Sequence, residues 1–487
     1  MTSGTAYLGV DIGSSGTRVA ALDSTGKIRA VARRTRPRKP MVITDLERTL
    51  DVERIWSEVA ACVSEVAAQC GEVRSLGLCA MRQTLIVVDD EETVLFASGN
   101  DDLRASLYGA AIDAAHGDAL MRQTGRALAA IYWPGKLAWL EAEAPEVMAP
   151  AKALTTLEGW IVRRLTGAES IGSVSAAETG ARSIPEKRWL NTVLPDWTHP
   201  LLPPVADGDA ACRMPATQTR TLGLPRGLPV AMGVPDTHAA ELGSRTVGFA
   251  DGDCVTAGWS LTIVRPQAAW DAEAPIWRGE RIGGEYLAES NAGDLASGYA
   301  WLSQGGDGEL TDLASPTDSA AERGIFATTG ARVMDVATAG LGAAGVVSPM
   351  PFAEGVPTRE LLATAVLEDM AFAVRGNLER LPPPIGDDAP VRLTGGFAAA
   401  PAAGPILANV LGAPVAAYPG LPITAIGAAI CGAAASGDFT LDEAAAKLSP
   451  APEIHEPDPS AARAYDGHYA CWVDLRSRLE AFVQETL

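Results

Sequence analysis

Two glycine turns, far apart in this 487-residue chain, each sit between two apolar strands. The first joins Ala6-Tyr-Leu-Gly-Val-Asp11 to Thr17-Arg-Val-Ala-Ala-Leu-Asp23 through Gly13-Ser-Ser-Gly16. The second lies in Asp253-Cys-Val-Thr-Ala-Gly-Trp-Ser-Leu-Thr-Ile-Val264. Strand, Gly/Ser turn, strand is the pattern of a β-hairpin. A dinucleotide-binding unit needs a helix directly after its glycines, so this pattern argues against a nicotinamide-dependent dehydrogenase. The echo of one hairpin by the other points to a duplicated domain.

Between the hairpins, strands and helices alternate. Apolar spacing (Ile55, Val59, Val63, Val66) predicts a helix over 51–70, and Ser75–Cys79 and Leu85–Val88 read as buried strands. Lys136–Leu140 and Glu158–Leu165 read as helices, which together make an α/β layer fold. The second half predicts a long amphipathic helix over 362–380, a strand into a glycine turn at 391–396, and helices over 402–411 and 423–436. Residues 265–340 carry the least regular pattern and read partly as loops. The polar, glycine-containing stretch at 243–253 sets a boundary, giving domains 1–247 and 248–487, each long enough for its own core.

Charge narrows the partners. There are 60 Asp and Glu against 39 Lys and Arg, a net charge of −21, which argues against a general nucleic-acid or anionic-membrane surface. No apolar run reaches the roughly 18–20 residues of a membrane span, and the most apolar stretch, Ile423–Ala435, is interrupted by Thr and Gly. The first residues lack a basic segment followed by an apolar one, so a cytoplasmic protein is expected. Seven scattered Cys without a Cys-x-x-Cys pair read as reduced thiols, and five His without i, i+4 pairing argue against a His-based metal site.

Several residues have the chemistry for a site. Asp11-Ile-Gly-Ser-Ser-Gly-Thr-Arg18 offers backbone N–H groups in a tight turn, hydroxyls, a carboxylate for hydrated Mg²⁺ and a cation. An ordinary hairpin would read the same way. Asp236, after the apolar run Leu228–Met232, is placed to take a proton from a hydroxyl, or simply to cap a helix. His238 reads as structural. Gly395-Gly396 would let a flat ring or a phosphate approach the backbone, although Gly-Gly turns are common. Arg82 near a strand end reads as solvated, and Asp102 with Arg104 as a surface ion pair.

Taken in order, these segments resemble the FGGY family of carbohydrate kinases, of the sugar kinase/Hsp70/actin superfamily, over nearly the whole chain. Gly9–Arg18 resembles the family's first phosphate motif, Gly77–Thr84 with Asp89 its sugar-binding strand, and Asp102-Leu-Arg104 its Asp-x-Arg. Thr124-Gly, Tyr132 and Lys136–Leu140 fit the helix region that follows. Gly233–Gly243 resembles the segment of the catalytic Asp, Ala365–Glu379 the helix before the adenosine motif, and Thr394–Val415 that motif itself.

The resemblance implies two actin-like (ribonuclease H-like) α/β domains around a central cleft, using ATP and Mg²⁺. Asp236 would be the base, and Asp11, with Ser14, Ser15, Thr17 and Arg18, would organise phosphates and a Mg²⁺ bound through water. Gly258, Ser260, Gly395 and Gly396 would lie along the nucleotide. Arg82, Gln83, Asp102, Tyr132, Asp236 and Thr237 would face the sugar. The implied partner is a small sugar or polyol, with a ketopentose such as xylulose, or a linear polyol, favoured over a hexose. No nucleic acid or membrane is implied, and a homodimer is compatible.

The nucleotide half departs from the family pattern. Gly258-Trp-Ser260 stands where Gly-Thr-Ser or Gly-Thr-Gly is usual, Ala398-Ala-Ala400 and Ala403 where Ala-Arg-Ser and Trp are frequent, and Gly355-Val-Pro-Thr-Arg359 where Gly-Glu-Arg-x-Pro is common. On the sugar side Arg82-Gln83, Thr237 and Asn100 leave the substrate open. These departures motivate an alternative, a catalytically impaired relative that senses a sugar or nucleotide; the retained Asp236 speaks against it. A chaperone-like or filament-forming ATPase would leave the sugar-side matches unexplained.

Overall fold

The computed structural model describes residues 4–37, 46–206, 211–304, 309–336, 343–348, 358–385 and 389–486. The chain forms two compact units. The first takes Met1–Val247, Gln267–Leu287 and Pro422–Pro450; the second takes Gly248–Pro266, Ala288–Leu421 and Ala451–Leu487.

In the first unit, strand β1 (Thr5–Gly13) pairs antiparallel with β2 (Gly16–Asp23), and β2 with β3 (Ile28–Thr35). Helix α1 (Val52–Ala67) is capped by Asp51, whose side chain accepts the Arg54 N–H, and it packs on β2 and β3. It buries Ile55, Val59, Val63 and Val66, the stripe read from the sequence, and Cys62 with them. Strand β4 (Glu72–Ala80) then lies parallel to β1 on its other side. Beyond β4 the sheet continues with Pro229–Ala231 and Ala211–Arg213, while Val234–Pro235 also pairs parallel with β4. The apolar helix Ile423–Ser436 covers β1 and β4. It sits so close that a Cβ at Gly9 or Gly77 would strike the backbone of Ala425 or Ala428.

The second unit repeats the opening. Cys254–Ala257 pairs antiparallel with Ser260–Gln267 and parallel with Val391–Thr394, next to Val415–Ala417 and then the antiparallel Glu453–His455. The helix expected over 362–380 runs Arg359–Leu378, and it is not amphipathic: residues 363–374 are buried all round. It packs against the strand Phe326–Thr329, the helix Ala403–Leu411 and the C-terminal helix Pro459–Thr486, so no face is left for water. Stretches of 265–340 that read as loops hold the strands Trp277–Glu280 and Tyr286–Asp294 and the helix Ala296–Leu302. Their buried faces include Arg278, Glu289 and Ser290, so apolar alternation does not show in the sequence.

Candidate active site

Register brings the two expected acidic residues to one end of the first unit's sheet. Asp11 on β1 is opposite Cys79 on β4, and Cys79 is opposite Val234, two residues before Asp236. Burial pushes the Asp11 carboxyl up to about 7, with the Asp236 charge adding and Arg18 opposing. Asp236 is the first residue of the helix Asp236–Gly243, after Pro235. Its Oδ1 accepts the adjacent Thr237 N–H at 2.7 Å, but the N-cap position is Pro235 and no side chain caps this helix, so Asp236 is not the cap that the sequence also allowed. Burial raises its pKa above the usual carboxylate range; Arg82 pulls it back and Glu178 pushes it further up.

The turn after β1 has two residues, Ser14 and Ser15, between the paired Gly13 and Gly16. Ser15 is exposed and Ser14 half-buried, so both hydroxyls lie at the tip. Arg18 is half-buried on β2, opposite Asp11. Thr17 is turned away from the tip: it is buried and donates its hydroxyl to Glu58 at 3.0 Å. Glu58 also pairs with Arg36 at 3.1 Å, and Arg36 donates to the Gly13 carbonyl at 2.7 Å. Glu58 and Arg36 thus brace the turn from beneath. Sequence reasoning missed both, because neither belongs to the turn itself.

On the sugar side, Arg82 is not solvated. It is 7% exposed, and its Nη1 lies 3.4 Å from Glu178 Oε2. A buried guanidinium needs a counter-charge, and Glu178 from a separate segment supplies it. Gln83 Nε2 donates to the same oxygen at 3.2 Å, Arg126 pairs with the other, and the buried His238 ring lies 3.9 Å away. Tyr132 is buried, edge-on to Trp277, and starts the helix Trp133–Glu143. Thr237 is buried beside Asp236.

Asp102 and Arg104 are paired, as read, yet not at the surface. Asp102 is 3% exposed and binds Arg104 Nη2 at 2.6 Å, while the guanidinium lies over Phe96 and Trp139. Arg82, Gln83, Thr237 and Asp236 therefore share one environment, with Glu178 at its centre, whereas the Asp102 carboxylate is engaged by Arg104. Nothing in the sequence around Glu178 signals its role: it follows a five-residue helix, Ser173–Ala177, too short for periodicity.

In the second unit the Gly258 N–H donates to the Ser260 carbonyl at 3.1 Å. The Trp259 carbonyl accepts the Leu295 and Ala296 N–H groups at 3.0 and 3.1 Å, fixing the turn. Gly395 has φ 96°, and a Cβ there would collide with the Ala257 backbone, so only glycine fits. Gly395 and Gly396 are exposed; Ala398, Ala400 and Ala403 are buried and Ala399 is exposed. Gly355–Pro357, part of the third departure, lie outside the described residues. No helix among the described residues is long and apolar enough to cross a membrane.

Known proteins are similar to this chain in sequence and in fold. Residues 6–243 match the FGGY family of carbohydrate kinases, N-terminal domain. An autoinducer-2 kinase of Yersinia pestis bv. Antiqua (strain Angola) is 24% identical over 282 residues, 55% of this chain and 53% of that protein. The chain thus spans about half the length of the curated relatives it matches. A gluconate kinase structure from Lactobacillus acidophilus superposes with a TM-score of 0.83 at 18% identity, covering 100% of both chains. A ligand-bound xylulose kinase from the same organism gives 0.82 at 18% identity, covering 99% of this chain and 100% of that one. The fold is therefore the actin-like α/β fold that the sequence implied. Residues 6–243 are thus recognised as an N-terminal domain of the FGGY family of carbohydrate kinases, and the solved sugar kinases share the fold over the full length of the chain.

Proposed function

We propose that this protein transfers the γ-phosphoryl group of ATP to a hydroxyl of a small sugar or polyol, with Asp236 as the general base. The observation that carries this reading is the setting of Asp236: a carboxyl at a strand-to-helix junction, raised above its usual pKa by burial and faced by Arg82. A raised carboxylate is a better proton acceptor for an alcohol, while Arg82 keeps it ionised enough to act. The Thr237 N–H fixes the rotation of the carboxylate, and Arg82 and Gln83 supply donors for the remaining hydroxyls.

Phosphoryl transfer asks the protein mainly for positioning and charge neutralisation. Bound MgATP would supply the transferred group and the cation that offsets its charge. The donor set suits a hydrated Mg²⁺: Asp11 is a half-buried carboxyl beside a Ser-Ser turn, and its raised pKa marks a charge in want of compensation. Among the described residues no three His, Cys, Asp or Glu side chains gather into a closed metal cage. Gly258, Ser260, Gly395 and Gly396 are assigned to the nucleotide, and Tyr132 and Asp102 to the sugar side, in domains proposed as 1–247 and 248–487. A ketopentose or linear polyol is the favoured substrate class.

The test is ADP release from MgATP across pentuloses, pentitols, tetritols, glycerol and aldonates. Asp236→Asn should cut sugar-dependent release by about 10²–10⁴-fold, the range typical of a lost general base. Near-normal turnover in the variant would remove Asp236 from that role. A second reading, a sugar or nucleotide sensor, draws on Trp259 in the turn between the second unit's hairpin strands. It predicts measurable ATP or sugar binding with no sugar-dependent ADP release in the same assay.

A further inference from the structure

Gln83 is one of four non-glycine residues with positive φ among those described, at 56°. A Gln has no intrinsic reason to adopt the left-handed region, so its surroundings must hold it there. They do so from two sides. Lys136 is 3% exposed, and its ammonium donates to the Gln83 carbonyl at 2.6 Å and to the Gly99 carbonyl at 2.7 Å. At the other end, the Gln83 side-chain amide donates to Glu178. The next residue is pinned as well: the Thr84 carbonyl accepts from Trp133 Nε1 and its hydroxyl from the Leu157 N–H, both at 2.8 Å.

A lysine whose ammonium donates to two backbone carbonyls is an expensive way to fill a core position. Burial pulls its amine down to about 7, with Asp102 opposing, and Met would fill the same space without that cost. What Lys136 adds is direction. Its two carbonyls lie at the start of the segment carrying Gln83 and in the turn that leads into Asp102, whose N–H also returns to Gly99.

Resting on the kinase reading above, we propose that Lys136 is a positioning residue for substrate recognition. By clamping the Gln83 and Gly99 carbonyls it holds Gln83 in its left-handed conformation with the side-chain amide on Glu178. Gln83 then meets the substrate with its orientation already fixed.

The test uses the full chain and whichever sugar gives wild-type ADP release. Lys136→Met should raise the KM for that sugar at least tenfold while kcat stays within about threefold, because ground-state positioning rather than the chemical step is lost. In a Gln83→Gly background, where the backbone needs no clamp, the further effect of Lys136→Met on KM should shrink to twofold or less. A KM unchanged in Lys136→Met, or an undiminished effect in the Gln83→Gly background, overturns the proposal while leaving the kinase reading intact. If no sugar is turned over by wild type, the kinase reading fails, and amide hydrogen exchange decides the clamp alone. Faster exchange over 81–85 and 99–102 in Lys136→Met supports it; unchanged exchange overturns it. Should Lys136→Met not fold, Lys136→Leu, which likewise has no donor, is read by the same measures.

Discussion

Glu158 is a buried carboxyl near the half-buried Asp11 and Asp236, and it carries a pH signature. It lies in the first turn of the helix Leu157–Thr166, 4% exposed, and its Oε2 has no hydrogen-bond partner. Burial is the main reason its pKa rises to about 7; Ser175 and Thr156 oppose, and Asp236 adds to the rise. Because the folded-state pKa lies above the ordinary value near 4.5, the folded protein binds this proton more tightly than the unfolded chain. Stability is therefore lost as pH rises from about 4.5 to about 7, and the loss stays constant above that. Glu158→Gln removes it. The variant's Tm relative to wild type should be most favourable at pH 8 and less so toward pH 5, a change on the order of 2 kcal/mol. A Tm difference independent of pH would show that Glu158 does not titrate in this window. At this scale the sequence marks residues whose neighbours along the chain explain them. Asp11 and Asp236 follow apolar strands and are visible there. Glu178, Lys136 and Glu58 owe their importance to partners 37 to 96 residues away, and no local pattern announces that.

Helices and strands were more legible than the contacts between them. The helix Ile423–Ser436 reads as buried because it is apolar on every side, yet its composition does not say what it covers. Its partners become visible only through glycines: Gly9 and Gly77 on the two central strands let its backbone come down onto the sheet, and its own Gly427 meets the Ala239 backbone in the helix of Asp236. Gly77→Ala places a methyl group on the Ala428 carbonyl, which belongs to a helix backbone and cannot turn aside. The helix must shift, and a cost of about 1–3 kcal/mol is expected, as for other overpacked cores. Urea unfolding would read it as a lower midpoint at unchanged slope. An unchanged midpoint would mean that the helix yields freely. Arg359–Leu378 failed as an amphipathic helix for a related reason. Its buried polar groups, Glu368, Asp369 and Asn377, look like a solvent face in sequence, but each has a partner inside the unit. Tyr465 and Ser319 bond Glu368, Trp472 and Thr329 bond Asp369, and Ser290 bonds Asn377.

At the scale of the whole molecule, the two hairpins visible in sequence do each open a compact unit, but the path between them is not linear. The unit built on β1–β4 also takes in Gln267–Leu287 and Pro422–Pro450, after the chain has passed through Gly248–Pro266 and Ala288–Leu421. A polar, glycine-containing stretch in the sequence carries no information on whether the chain returns to a unit it has left. The return has an energetic consequence. Without Ile423–Ser436, the face of β1 and β4 that meets this helix, which carries Gly9, Gly77 and Cys79 and by strand alternation Tyr7, would be exposed to water, and each large apolar group left in water forfeits roughly 1.5–3 kcal/mol. Total stabilities are only about 5–15 kcal/mol, so a few such losses suffice to unfold the unit. A fragment of residues 1–247 is thus expected to aggregate or to show no cooperative thermal transition. A fragment of residues 1–287 joined by a flexible linker to 422–450 should regain one and bind sugar, since Arg82, Gln83, Lys136, Glu178 and Asp236 all lie within it. A cooperative, monomeric 1–247 would show that the returning segments are dispensable, and that the covering helix is an addition to a unit already stable without it.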